Sequence, residues 1–110
     1  MSKLQSKVKL HFKFPLTFND HTKVPDEKFI KAKNFFMDNY EALTISGTSI
    51  GYWTHSGMEY KDETVEYFVL IDKNKFLKTV KPKLMKQIKQ FEKEFKQIEI
   101  LCYYHNVIST

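Results

Sequence analysis

The stretch VKLHFKFPLTF, residues 8–18, alternates apolar and polar side chains more regularly than any other part of the chain. Its apolar members are Val8, Leu10, Phe12, Phe14, Leu16 and Phe18. A repeat of two places alternate side chains on opposite faces of a β-strand. The stretch therefore predicts a strand with one buried face and one face that carries lysine and histidine.

Two segments show the spacing of three and four residues that is typical of amphipathic helices. The first follows Pro25-Asp26-Glu27, a typical helix start, and should end near Tyr40. The second covers residues 73–96 and contains Pro82, which cannot donate a helical hydrogen bond. We therefore expect either a short turn followed by a helix that starts near Pro82, or one kinked helix.

Three further segments predict strands. Residues 43–54 are interrupted by Ser-Gly-Thr-Ser and predict a bulged or irregular strand, residues 64–71 predict a central strand in a hairpin with it, and residues 98–108 predict the last strand. The element order predicts one α+β domain, residues 1–110, with a ferredoxin-like βαββαβ topology: a four-stranded antiparallel sheet with two helices on one face. The alternative is a different α+β order with an interrupted second strand.

Composition excludes several classes of protein. Cys102 is the only cysteine, so an internal disulfide and a cysteine-based metal site are excluded, and no motif predicts a cofactor or a bound metal. Cys102 itself is expected to be an ordinary buried thiol. No stretch approaches the roughly 20 apolar residues of a membrane span or the pattern of a signal peptide, so we expect a cytoplasmic protein that does not bind membranes.

The second helical segment is strongly basic. The chain has a net charge of +5 and no arginine, and residues 73–96 contain nine lysines and two glutamates. Lysines on this helix could attract phosphate backbones without reading sequence, whereas the missing arginines argue against sequence-specific recognition. A solvated helix face is the alternative. The candidate nucleic-acid contacts are Lys83, Lys86, Lys89 and Lys93.

Polar residues should gather at one end of the sheet. Right-handed crossovers make the first two strands parallel, which brings the loop after the first strand, the central hairpin and the turn before the last strand together. The candidate ligand-binding residues there are Asn19, Asp20, Trp53, His55, Tyr60, Asp62, Glu63 and Gln97. The candidate catalytic residues are Asp20, His21, His55, Asp62 and Glu63, because carboxylates and imidazoles can exchange protons. Solvated turn residues are the alternative for this cluster.

Four motifs in the chain resemble those of an uncharacterised group of small proteins. They are Phe18-Asn19-Asp20, Gly51-Tyr52-Trp53, Tyr60-Lys61-Asp62-Glu63 and Phe95-Lys96-Gln97-Ile98-Glu99-Ile100, against a pattern of N-D-G, G-x-W, Y-x-D-E and F-x-Q-x-x-I. The chain departs from the pattern at His21, which replaces a glycine, and at Glu41-Ala42, which replaces a glycine pair. The resemblance implies a shared ferredoxin-like fold and no particular activity.

The leading functional prediction is a non-catalytic binding or regulatory module, linked to mobile-element defence or counter-defence. Because the third and fourth strands carry apolar residues on both faces, we expect a homodimer that buries the sheet face without helices. One alternative is a small enzyme that acts on a nucleotide or another small molecule through the carboxylate and histidine cluster. The other is non-specific nucleic-acid binding through the Lys-rich second helix.

Overall fold

The computed structural model describes residues 4–97 and 99–109. The strands are β1 (Gln5–Pro15), β2 (Thr44–His55), β3 (Met58–Asp72) and β4 (Leu101–Ser109). The helical segments are α1 (Asp26–Tyr40), α2 (Lys73–Lys75), a π-helical turn (Phe76–Val80), a 3₁₀ turn (Lys81–Lys83) and α3 (Leu84–Glu94).

The four strands form one antiparallel sheet in the order β2-β3-β1-β4. Since β1 and β2 are both antiparallel to β3, which lies between them, they are parallel to each other. This confirms an α+β domain with a four-stranded antiparallel sheet and two helices. One face of the sheet packs on the helices, and we call the opposite face the open face.

The core lies where the alternation of β1 places it. Val8, Leu10, Phe12 and Phe14 are all buried. The Phe12 ring lies 5.4 Å from the ring of Phe36 in α1 and 5.4 Å from that of Phe91 in α3. Both helices therefore cover the same face, as the apolar side of residues 8–18 predicts.

The second helical region is interrupted as Pro82 predicts. A short start at α2 is capped by Asp72, whose carboxylate accepts hydrogen bonds from the backbone N–H groups of Asn74 (3.1 Å) and Lys75 (3.3 Å). The wide π turn and the tight 3₁₀ turn around Pro82 then absorb the missing N–H group before α3 begins.

The hairpin between β2 and β3 is longer than the sequence predicts. The connection between the two predicted strands shrinks to Ser56 and Gly57, whose φ angles of 52° and 77° suit a two-residue hairpin turn. The expected break in β2 is confirmed as a bulge between Ser46 and Thr48.

Because β1 pairs only with residues 64–72 of β3, residues 50–63 project beyond the sheet body, and we call them the hairpin arm. Every residue of the arm is exposed or half-buried, and the molecule measures 54 × 27 × 24 Å.

Two turns form without the glycines of the group pattern. His21 and Glu41 adopt left-handed backbone conformations, with φ of 68° and 59°, which glycine adopts at lower cost. Glu41 ends α1 by donating its backbone N–H to the carbonyl of Met37 at 3.0 Å. The turn at His21 is closed in the same way, by a hydrogen bond from its backbone N–H to the carbonyl of Phe18 at 2.9 Å.

The last strand begins later than predicted, at Leu101 instead of Ile98, and Ile98 lies outside the described residues. Tyr103 and His105 of β4 stack on His11 of β1 on the open face, whereas Tyr104 packs on Phe76 on the helical side. Both faces of β4 thus carry aromatic side chains, as the sequence predicts. Within the described part of the chain, no helix has the length and apolar character needed to cross a membrane.

Candidate functional site

The structure brings three predicted loop regions to one end of the sheet. The backbone N–H of Leu16, after β1, donates to the carbonyl of Glu63 at the base of the hairpin arm (3.0 Å). The Nζ atom of Lys96, after α3, lies 5.2 Å from the centre of the Phe18 ring. The loop that carries Asn19 therefore lies beside Glu63 and near the segment that carries Gln97.

Other members of the predicted cluster are held apart. His55 pairs with Met58 at the tip of the hairpin arm. Met58 is five residues from Glu63 in the same strand, which is a distance of about 17 Å. His21 is exposed. The carboxylate of Asp20 accepts hydrogen bonds from the hydroxyl and the backbone N–H of Thr22, and these bonds lower its pKa. Asp20 therefore closes a turn of its own loop.

The remaining predicted residues make local contacts on the arm. Trp53 donates its indole N–H to Asp62 at 2.8 Å and stacks on Tyr60 with 4.3 Å between ring centres. Glu63 forms an ion pair with Lys61 at 3.2 Å. Trp53 and the half-buried Tyr60 thus offer an aromatic surface on the arm, in which the indole N–H already has a partner.

The candidate nucleic-acid lysines are all exposed, and none of them forms an ion pair within residues 4–97 and 99–109. They are Lys83 in the 3₁₀ turn and Lys86, Lys89 and Lys93 in α3. The same part of the chain contains no group of three or more His, Cys, Asp or Glu side chains that could hold a metal. Burial raises the pKa of the Cys102 thiol to about 12, which makes it a poor nucleophile.

A different group of polar residues, which the sequence analysis did not single out, lies at the centre of the open face. It is built around the carboxylate of Glu66 in β3. Oε1 of Glu66 is hydrogen-bonded to His11 Nδ1 (2.7 Å) and accepts from the Tyr103 hydroxyl (2.7 Å), while Oε2 accepts from the Ser46 hydroxyl (3.0 Å). Each of the four strands contributes one residue, and we call the four the Glu66 network.

Strand register assembles this network. Ser46 lies directly opposite Glu66 across the β2–β3 pair, and His11 lies opposite Tyr103 across the β1–β4 pair. Glu66 is opposite Lys13, one place along the same face from His11. Facing and diagonal neighbours on one face of a sheet are within reach of each other's side chains. A shift of one residue in any pair would send one member to the helical face.

The environment fixes the charge of each group. Burial alone would raise the pKa of Glu66, but the hydrogen bonds from Tyr103, His11 and Ser46 together outweigh it and hold its pKa below the ordinary value. Burial lowers the pKa of His11 despite the nearby carboxylate. The hydrogen bond to Glu66 raises the pKa of Tyr103 to about 12. Near neutral pH the network therefore holds a carboxylate, a neutral imidazole and a phenol.

These charges also determine the tautomer of His11. An ionised carboxylate can only accept, so Nδ1 of His11 carries the proton and Nε2 has the lone pair. The Nε2 atom is buried and has no hydrogen-bond partner within the described residues. Rings surround the imidazole: Tyr103 stacks at 4.2 Å, His105 lies at 5.0 Å and Phe68 at 5.8 Å. The site therefore combines a negative charge, a hydrogen-bond acceptor and flat apolar surfaces.

The buried imidazole should make stability depend on pH. Because burial lowers the pKa of His11 below 6.5, the unfolded chain takes up the proton first as the pH falls. The contribution of the neutral His11 to the free energy of unfolding is therefore complete above that pH. It declines as the pH falls towards the folded-state pKa of His11. The urea midpoint of the wild type should fall more steeply between pH 7.5 and 5.5 than that of His11→Asn, and equal slopes would contradict this assignment.

No family model matches the chain, and no curated protein matches it. Two solved structures of a phage SAM lyase do match. The complex with S-methyl-5'-thioadenosine has a TM-score of 0.66 at 15% identity, over 100% of this chain and 95% of that chain. The apo state has a TM-score of 0.56 at 11% identity, over 100% of this chain and 90% of that chain.

These matches show that the fold is shared along the whole described domain. They also overturn the leading functional prediction. The non-catalytic module predicted from the sequence is wrong, because both similar structures are of an enzyme, one of them with a small nucleoside bound. The findings agree better with the alternative prediction of a small enzyme that acts on a nucleotide or another small molecule.

Proposed function

We propose that this chain is a small enzyme that binds and cleaves S-adenosylmethionine or a closely related sulfonium nucleoside, with the Glu66 network as its binding site. The observation that carries the proposal is the ionised Glu66 carboxylate, held by three side chains on the open face. The likeness of the whole chain to phage SAM lyase supports the class of substrate.

The chemistry of the site suits such a substrate. A sulfonium is a permanent cation without N–H donors on sulfur, so it is bound by charge and by aromatic faces more than by hydrogen bonds. The side chain of Glu66 is 22% exposed, which leaves its charge accessible from the open face. The ring of Phe68 already holds a cation, since Nζ of Lys9 lies 4.0 Å from its centre. A sulfonium and a flat base would find a carboxylate and exposed rings side by side.

The apolar rings also favour cleavage. When a carbon–sulfur bond of the sulfonium breaks, both electrons remain on sulfur, which becomes a neutral thioether. The carbon that leaves sulfur bonds at the same time to an oxygen of the substrate's own carboxylate and closes a lactone, so the carboxylate's negative charge disappears together with the positive charge on sulfur. Positive charge on sulfur disappears along this path, so surroundings that exclude water favour the transition state over the charged substrate. Glu66 then acts mainly in binding and orienting the substrate.

The direct test is incubation of the purified protein with S-adenosylmethionine, followed by chromatography for S-methyl-5'-thioadenosine. We expect product to accumulate faster than in a protein-free control. Binding of S-methyl-5'-thioadenosine and of the neutral thioether S-adenosylhomocysteine should be measured by calorimetry beside it. A protein that neither produces nor binds the thioadenosine does not have the proposed function.

The finer description of the fold belongs to the same proposal. The sheet order β2-β3-β1-β4 and the succession of strands and helices support a ferredoxin-like βαββαβ topology for the chain. In such a fold both crossovers place their helices on one face, and the opposite face is available for a ligand. The location of the Glu66 network on that open face supports both parts of the proposal.

A further inference from the structure

His11 is the one buried polar residue of the described core, with 4% of its surface exposed. Its Nδ1 atom is used by Glu66, whereas its Nε2 atom is covered and has no partner within the described residues. Buried polar atoms in folded proteins nearly always have a hydrogen-bond partner, because an unpaired one costs stability. The contact with Glu66 alone could be made by an asparagine, so a buried lone pair at this place calls for a partner from outside the chain.

We propose that Nε2 of His11 accepts a hydrogen bond from an N–H or O–H group of the bound nucleoside, and that this bond selects the ligand. The inference rests on the proposed function and adds a specificity-determining residue to it. Nε2 cannot act as a donor in this tautomer, because the proton is on Nδ1, which donates a hydrogen bond to Glu66. A site built around a hydrogen bond rejects ligands without the matching group strongly, because its own polar atom then stays unpaired.

The ligand must displace a neighbouring group to reach this atom, because Nε2 is covered. Tyr103 stacks on the imidazole with an angle of 8° between the rings, and His105 packs against it at 24°. Both residues are exposed at the surface of β4, so their side chains can rotate into solvent. Rotation of Tyr103 breaks its hydrogen bond to Glu66, and a flat base could then take its place on His11. Without a ligand, the ring of Tyr103 thus occupies the position on His11 that the base of a nucleoside could take.

The experiment is a comparison of ligands against variants. S-methyl-5'-thioadenosine and three analogues, which lack the 6-amino, the 2'-hydroxyl or the 3'-hydroxyl group, are titrated by calorimetry into the wild type and into His11→Asn. The asparagine amide can still donate to Glu66 but has no atom at the position of Nε2. We expect one analogue to bind the wild type at least about tenfold more weakly than the parent, and this difference to disappear in His11→Asn.

The outcomes separate the two proposals. If the wild type binds the parent but His11→Asn shows the same preferences among the analogues, the role of His11 is overturned while the proposed function stands. If the wild type binds none of the four ligands, both are overturned. Imidazole ¹⁵N NMR of the wild type is the second measurement, in case the variant does not fold: the unprotonated Nε2 resonance should shift when S-methyl-5'-thioadenosine binds, and an unchanged resonance overturns the inference.

Discussion

The variant Glu66→Gln is expected to lower kcat/KM for S-adenosylmethionine by about 10- to 100-fold, since a hydrogen-bonded charge is worth about 1.5–3 kcal/mol. The glutamine has no negative charge for the sulfonium. Only the oxygen of its amide can accept a hydrogen bond, whereas the native carboxylate accepts one from Tyr103 on Oε1 and one from Ser46 on Oε2. Because the proposed function assigns Glu66 to binding, most of the loss should appear in KM, and steady-state kinetics measure this directly.

The matched control is Asp62→Asn on the hairpin arm. An asparagine oxygen can still accept the hydrogen bond from Trp53, so the arm should keep its structure. We expect near wild-type kinetics for this variant, because Asp62 lies outside the Glu66 network. The opposite result, with Asp62→Asn inactive and Glu66→Gln active, would move the site to the hairpin end that the sequence predicts.

The variant Phe14→Ala is expected to lower the free energy of unfolding by about 3–5 kcal/mol, the range for removing a buried phenylalanine. Phe14 is completely buried at the centre of the aromatic core. Its ring stacks on Phe95 at 4.7 Å and meets the edges of Phe91 at 5.0 Å and Tyr67 at 5.1 Å. Removing it leaves a cavity between β1, β3 and α3. Urea denaturation followed by circular dichroism measures the change.

The control for this experiment is Ile108→Ala, because the side chain of Ile108 is 72% exposed. Surface substitutions of this kind usually change stability by less than about 0.5 kcal/mol. A loss of stability in Ile108→Ala as large as that in Phe14→Ala would show that the face near Ile108 is buried against another molecule. Ile108 lies on the helical side of β4, as Tyr104 does, so this result would not test the homodimer predicted through the open face, which stays a prediction.

The fold could be predicted where a single element carries its own signal. The alternation of residues 8–18 identified the buried face of β1, Pro25 and the acids after it located the start of α1, and Pro82 located the break before α3. The length of the hairpin arm could not be predicted. Four of its residues 58–63 are charged and only Met58 and Tyr60 are not, so the hydrophobic pattern there is too short to predict a strand. Pairing with β2 alone extends β3 to Met58.

The Glu66 network was missed for a related reason. The sequence placed His11 on the polar side of β1 and Glu66 in the third strand, but only the registers of three strand pairs bring them within hydrogen-bond distance. The available signal was a histidine between lysines at the middle of the most regular strand, a position where a long, flexible side chain would be expected. The loop cluster was predicted instead because the expected crossovers bring three loops with carboxylates and histidines to one end of the sheet.

The hairpin arm, residues 50–63, and the sheet body differ in what stabilises them. The arm is held by one ladder of hydrogen bonds between two strands and by no layer of packed side chains, whereas the sheet body rests on the aromatic core. Such a ribbon can fray from its tip at Ser56 and Gly57 without loosening the helices. Cutting or shortening the chain there would therefore cost the domain little, and natural variants of different loop length could share the same core.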